Sequence, residues 1–233
     1  MREIARSIYQ LPVLGAHVWL LTDEPVTLVD TGTRGSAGAI LRALARLGHS
    51  PEALRWVVLT HYHPDHLGAL PALRRACPRL RVAIHAAEAP YLASPARLPN
   101  PVAPAYPRLR ALVQRVWPLV RLRRPCPVQA PLVDGAPLPE RPTARVIHLP
   151  GHTRGSLAVH LPTEGLVLAG DALERRGGVL GPPSRLFTED MAAARASIAR
   201  LGALEFDALA LSHWPLLPRR AAHAVRALAA QLG

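Results

Sequence analysis

Short apolar runs recur along this chain, separated by turns rich in Gly, Pro, Asp and His. Runs this short and rich in Val, Ile and Leu read as buried strands. Residues 1–32 read as a strand meander ending in Asp30-Thr31-Gly32. Residues 35–48 carry Ala, Ile and Leu at helical spacing and stop at Gly48, a good helix terminator. A strand is predicted at 55–60, a helix at 64–76 and a strand at 80–85. Residues 144–171 predict a strand, a loop and a hairpin. Amphipathic helices at 188–202 and 218–232 flank a last strand at 207–212. Between 95 and 142 prolines are dense, and only 109–116 reads as a short helix. Proline interrupts regular structure. This region is therefore expected to be an inserted lid with irregular ends, or else a passive connector.

Four of the apolar runs end in a residue that can ligate a metal. Trp56-Val57-Val58-Leu59-Thr60 leads to His61, and Arg145 to Gly151 leads to His152. Leu166-Val167-Leu168-Ala169-Gly170 leads to Asp171, and Ala208-Leu209-Ala210-Leu211-Ser212 leads to His213. Chemistry commonly sits in loops held by a rigid scaffold. The densest stretch is His61-Tyr62-His63-Pro64-Asp65-His66, with three imidazoles and one carboxylate in six residues. His61 and His63 are two apart, so in an extended segment they point the same way. Pro64 suits the first position of a helix, which puts Asp65 and His66 in its first turn. Imidazole and carboxylate are usual ligands of Zn²⁺ and related metals. One turn can thus serve two ions, one through His61 and His63, the other through Asp65 and His66.

Composition narrows the setting. The chain has 233 residues, 49% of them hydrophobic, enough for a sizeable core. That length fits one domain over 1–233 carrying the 95–142 insertion, or two small halves. No apolar run reaches the roughly 18 residues of a membrane span. The start of the chain reads as strands and not as a signal peptide, so a cytoplasmic location is expected. Cys77 and Cys126 lack metal-ligand spacing and read as ordinary thiols, with a single disulfide as the other reading. The formal charge is +12, and all 28 basic residues are Arg. Local concentrations lie at Arg74-Arg75, Arg121-Arg123-Arg124 and Arg219-Arg220. Such charge reads first as a solvated surface, and a nucleic-acid partner is not expected.

Taken with the loop at 61–66, these strand ends resemble the metallo-β-lactamase fold superfamily, in its glyoxalase II-like and lactonase-like branch. The motifs stand in order: Asp30 in Leu28-Val29-Asp30-Thr31-Gly32, then His-x-His-x-Asp-His at 61–66, and Gly-His-Thr-x-Gly around His152. The Gly-Asp strand end at Asp171 and the late His213 complete the set. The resemblance implies an α/β fold, a four-layer αββα sandwich of two mixed sheets with outer helices. It also implies that His61, His63 and His152 hold one metal. Asp65, His66 and His213 would hold a second, with Asp171 bridging. Asp30 would orient a ligand by hydrogen bonding, although a turn-forming Asp at a strand end is an equal reading.

The implied activity is that of a metal-dependent hydrolase with two divalent ions, zinc first, with iron or manganese as alternatives. Two adjacent metals bridge a hydroxide near neutral pH. That hydroxide would attack an ester, thioester or lactone of a small molecule, with Asp65 and Asp171 as the catalytic carboxylates. Quorum-quenching lactonases of this fold carry Tyr three residues after the bridging Asp, where this chain has Glu174. Tyr62, Glu174, Arg175 and Trp214 stand near ligands in sequence and are candidate substrate contacts; Tyr62 and Trp214 also read as packing residues. The alternative activity is a mononuclear iron persulfide dioxygenase, which resembles this fold and length. A third reading is a basic nucleic-acid-binding or scaffold protein with a structural metal.

Overall fold

The computed structural model describes residues 1–23, 25–120 and 124–233. The chain divides into two compact units. The first comprises Met1–Leu98, Arg121–Leu132 and Pro139–Arg141. Its seven-stranded sheet follows chain order: β1 (Arg2–Ala5), β2 (Ile8–Val13), β3 (Ala16–Leu21), β4 (Val26–Val29), β5 (Leu54–Val58), β6 (Arg81–His85) and β7 (Ala130–Leu132). Strands β1 to β4 pair antiparallel, and β4 to β7 pair parallel. Parallel neighbours need crossover connections, commonly helical. Helix α1 (Ala37–Arg46) makes the first, burying Ala37, Ile40, Ala43 and Leu44 on one face. Every residue of β4 is buried, the pattern of a strand covered on both faces.

The second crossover is not the continuous helix that 64–76 predicts. It breaks into α2 (Pro64–Leu67) and α3 (Leu70–Ala76). Two groups compete with the helix. The carbonyl of His66 accepts from Thr31 N (2.6 Å) and Thr31 Oγ1 (2.8 Å), and Pro71 has no N–H to offer Leu67. Gly68 lets the Thr33–Arg34 backbone lie so close that a β-carbon there would collide with it. The break thus ties the metal-motif loop to the segment after β4. A short helix, α4 (Ala89–Ala93), follows β6.

The second unit comprises Pro99–Val120, Val133–Leu138 and Pro142–Gly233. Its sheet joins β8 (Pro137–Leu138), β9 (Arg141–His148), β10 (Leu157–Leu161), β11 (Leu166–Leu168) and β14 (Ala208–Ala210), in the order β14-β11-β10-β9-β8. The β11–β14 pair is parallel, while β9–β10 and β10–β11 are antiparallel. Helices α6 (Met191–Gly202) and α7 (Ala221–Leu232) pack on it through Ile198, Leu201, Val225 and Leu228, against Ile147, Val167, Leu209 and Leu211. Asp190 caps α6, its Oδ1 accepting from Ala192 N and Ala193 N at 2.8 and 3.0 Å. A small hairpin, β12 (Glu174–Arg176) and β13 (Val179–Gly181), turns on Gly177-Gly178, both at positive φ. That pair suits a tight two-residue turn.

The proline-rich segment holds more helix than 109–116. Helix α5 runs Pro107–Val120, with Pro107 at its start and Pro118 inside it. Asn100 Nδ2 donates to Arg110 O (2.9 Å) and Gln114 Oε1 (3.1 Å), fastening the preceding loop to it. Cys77 and Cys126 are free, buried thiols. Among the described residues, no helix is long and apolar enough to cross a membrane.

Candidate metal centre

In the first unit, the site grows from two adjacent parallel strand ends. Asp30 follows β4 and is fully buried, with φ at 60°. Its backbone N–H bonds Val58 O (2.9 Å), which sets its carboxylate beside the end of β5. Oδ1 accepts Thr60 N, and Oδ2 accepts both Thr60 Oγ1 and His66 Nδ1, each at 2.8 Å. An ionised carboxylate only accepts. The His66 proton therefore sits on Nδ1, and the Thr60 hydroxyl spends its proton on Asp30. Thr60 Oγ1 is then the acceptor for His61 Nδ1 at 3.0 Å. Both rings thus engage their partners through Nδ1 and leave the lone pair on Nε2.

The remaining donors of this loop converge. His63 occupies the N-cap of α2, with Pro64 at the first helical position. His61, His63 and His66 are all buried, and Asp65 is about one-third exposed (32%). A ligand atom of His61 lies within 4.8 Å of one on His63, and likewise of one on His66. His66 Nε2 stands 3.8 Å from Asp65 Oδ2. Lone pairs packed this closely repel one another, and a divalent cation offsets that repulsion. Three imidazoles with one carboxylate suit a borderline ion of the zinc kind. Tyr62 is buried, edge-on to Tyr91 and to His63, so it packs the floor of this loop.

In the second unit, His152 follows β9 on a loop pinned to α6. Gly151 has φ 137° and lies against the backbone of Ala194, with no room for a side chain. Glu189 N bonds His152 O (3.1 Å), and Asp190 N bonds Gly151 O (3.0 Å). Thr188 Oγ1 donates to Ser184 O (2.6 Å), so it accepts from His152 Nδ1, 3.4 Å away. His152 Nε2 is 3.6 Å from Asp171 Oδ2, and His213 Nε2 is 3.1 Å from the same oxygen. One carboxylate oxygen thus stands between two imidazoles. Asp171 is held there by Gly170, at φ 56°, whose carbonyl accepts Ser212 N (3.1 Å).

The other candidates have defined surroundings. Glu174 accepts from Arg176 Nε (2.7 Å), and Arg175 Nη1 reaches Leu216 O (3.4 Å). The Arg176 guanidinium lies over the Trp214 ring at 5.8 Å. Two hydroxyls that hydrogen-bond candidate histidines, Thr60 to His61 and Thr188 to His152, were not among the sequence candidates. Thr60 had a signal, since it directly precedes His61. Thr188 had none, being 36 residues from His152.

Comparison with known proteins shows the family of the chain. The chain belongs to the metallo-beta-lactamase superfamily, whose sequence profile matches residues 11–213. It is 32% identical over 228 residues to YflN of Bacillus subtilis (strain 168), a probable metallo-hydrolase, covering 91% of this chain and 85% of that one. It is 31% identical over 196 residues to a hydroxyacylglutathione hydrolase of Stenotrophomonas maltophilia (strain R551-3), covering 81% of this chain but 56% of the relative. Among solved structures, a metallo-beta-lactamase family protein from Thermus thermophilus superposes with a TM-score of 0.73 at 27% identity, covering 99% of this chain and 79% of that one. The mixed α/β architecture, with its two large mixed sheets and helices, matches that solved structure.

Proposed function

We propose that this protein is a dinuclear metal-dependent hydrolase acting on an ester, thioester or lactone bond of a small molecule. In this reading His61, His63 and His152 ligate one ion, Asp65, His66 and His213 the other, and Asp171 both. The observation that carries it is the orientation of the rings. Asp30 and Thr60 engage Nδ1 of His66 and His61 and leave Nε2 to ligate, and Thr188 does the same for His152. Partners of this kind, which fix tautomer and direction, typically accompany ligating histidines. The likeness to a hydroxyacylglutathione hydrolase supports keeping the thioester among the bonds to be tested.

Divalent ions, zinc by this proposal, supply a nucleophilic water at neutral pH and a Lewis acid for the scissile carbonyl. The chain itself supplies orientation. Asp65, the partly exposed carboxylate of the loop, would align the water and pass its proton toward the leaving group. Asp171 keeps His152 and His213 directed at one oxygen. Because Asp65 stays ionised as a ligand, it acts as an acceptor in the resting protein. The two buried, unbridged thiols suit a reducing, cytoplasmic setting for this activity.

Elemental analysis of untagged protein purified without chelators tests the reading, followed by an ester, thioester and lactone panel. The expected result is close to two equivalents of zinc and hydrolysis that a chelator abolishes. Asp171→Ala should lose metal and activity together. One equivalent of iron with oxygen uptake on a persulfide would replace the hydrolase by a dioxygenase.

A further inference from the structure

The metal centre leaves one feature of the second unit unused. Helix α5 exposes Leu109, Leu112, Val116 and Leu119, at 37, 60, 50 and 59%. At 3.6 residues per turn these four fall within roughly 80° of one another, a continuous apolar stripe. The opposite side is the anchored one. Trp117 is buried, Arg110 Nη1 bonds Asn100 O (3.3 Å) and also Val102 O, and Gln114 accepts from Asn100. The helix therefore offers its large aliphatic side chains to solvent while staying fastened by its other face.

Along the sequence, the charge flanking the stripe is of one sign. Between Glu88 and Asp134 the sequence has no acidic residue, while Arg97, Arg108, Arg110, Arg115, Arg121, Arg123 and Arg124 lie within it. Arg108 and Arg115 are exposed and border the stripe on the Leu119 side. An apolar face beside arginine is the pattern of a helix lying in a membrane interface. Its leucines enter the acyl boundary and its guanidinium groups meet anionic headgroups.

We propose that α5 docks this protein on an anionic lipid surface, with Leu109, Leu112, Val116 and Leu119 buried in the interface and Arg108 and Arg115 at the headgroups. Charge decides among the occupants. A second copy paired face to face and antiparallel would bring like arginines together along one flank, and in neither pairing would they gain an opposite charge. A nucleic acid would satisfy the arginines and leave the leucines in water.

The test is cosedimentation of the full chain with vesicles. One set is phosphatidylcholine with about 30 mol% phosphatidylglycerol, the other phosphatidylcholine alone. The protein should pellet with the first and stay in solution with the second. The charge-neutral double variant Leu112→Gln/Leu119→Gln should bind the anionic vesicles roughly tenfold more weakly, with unchanged melting temperature and metal content. Equal binding by that variant would mean that charge alone drives association, and would overturn the proposal. So would failure to pellet with anionic vesicles. So would a dimer in analytical ultracentrifugation that the variant converts to monomer, because the stripe would then be a self-association face. None of these readouts depends on hydrolytic activity.

Discussion

Asp30 shows how much one side chain can organise. It is fully buried in a left-handed backbone conformation, and its two oxygens accept three hydrogen bonds. Asp and Asn tolerate that conformation better than most residues. Asp30→Asn should therefore keep the turn but change the chemistry. An amide NH₂ facing His66 Nδ1 would make that nitrogen an acceptor and move the ring proton to Nε2, where a ligand needs a lone pair. The expected result is a folded protein with metal affinity lowered about 10–100-fold, read by competition with a chromophoric chelator. A variant with unchanged metal affinity would show that Asp30 only shapes the turn. From sequence alone both roles for Asp30 were equal readings, because the partner that separates them lies 36 residues on.

At the scale of elements, the local periodicity named most strands and helices and misjudged their limits where tertiary contacts intrude. The helix after the metal loop splits because His66 O is spent on Thr31 and Pro71 cannot donate. Proline density concealed the two ends of α5, although Pro107 stands where proline is tolerated best, at the start of a helix. The β12–β13 hairpin went unread despite Gly177-Gly178, since its strands are short and carry little hydrophobic alternation. Gly151 shows what an element boundary demands. A methyl group there would meet the Ala194 backbone, at a φ that side chains rarely adopt. Gly151→Ala should cost about 2–4 kcal/mol in urea unfolding. It should also shift the His152 loop from α6, so metal content should fall with stability. Loss of neither would mean that α6 yields without strain.

At the scale of the whole molecule, the basic side determines how stability responds to alkali. All 28 basic residues are Arg, which stays charged, so few groups titrate between neutrality and pH 11. Cys77 is one of them. Burial, with a smaller push from the Glu52 carboxylate, raises its thiol from 9.0 to about 11. The folded chain then keeps a proton that the unfolded chain releases. The resulting stability is fully present below about pH 9 and is lost as pH rises toward 11. Urea midpoints should fall over that interval, and Cys77→Ala should flatten the fall. An equally steep fall in the variant would assign it elsewhere, first to Cys126, which burial also shifts upward.

The order of motifs, the loop at 61–66 and the run of strands and helices were carried by neighbours in sequence. Hydrophobic periodicity and the spacing of His and Asp are local properties, readable without a fold. That is why residues 28–213 sufficed to point to the superfamily. The hydroxyl and carboxylate partners of His61, His66 and His152 belong to residues far apart in the chain, or to ones whose role appears only when a hydrogen bond closes. Thr188 reaches His152 because the segment before α6 folds back on the loop after β9. The exposure of the α5 leucines was equally undecided by sequence. A helix with apolar residues on two faces can bury either, and here Asn100, Arg110 and Trp117 chose the side that is held.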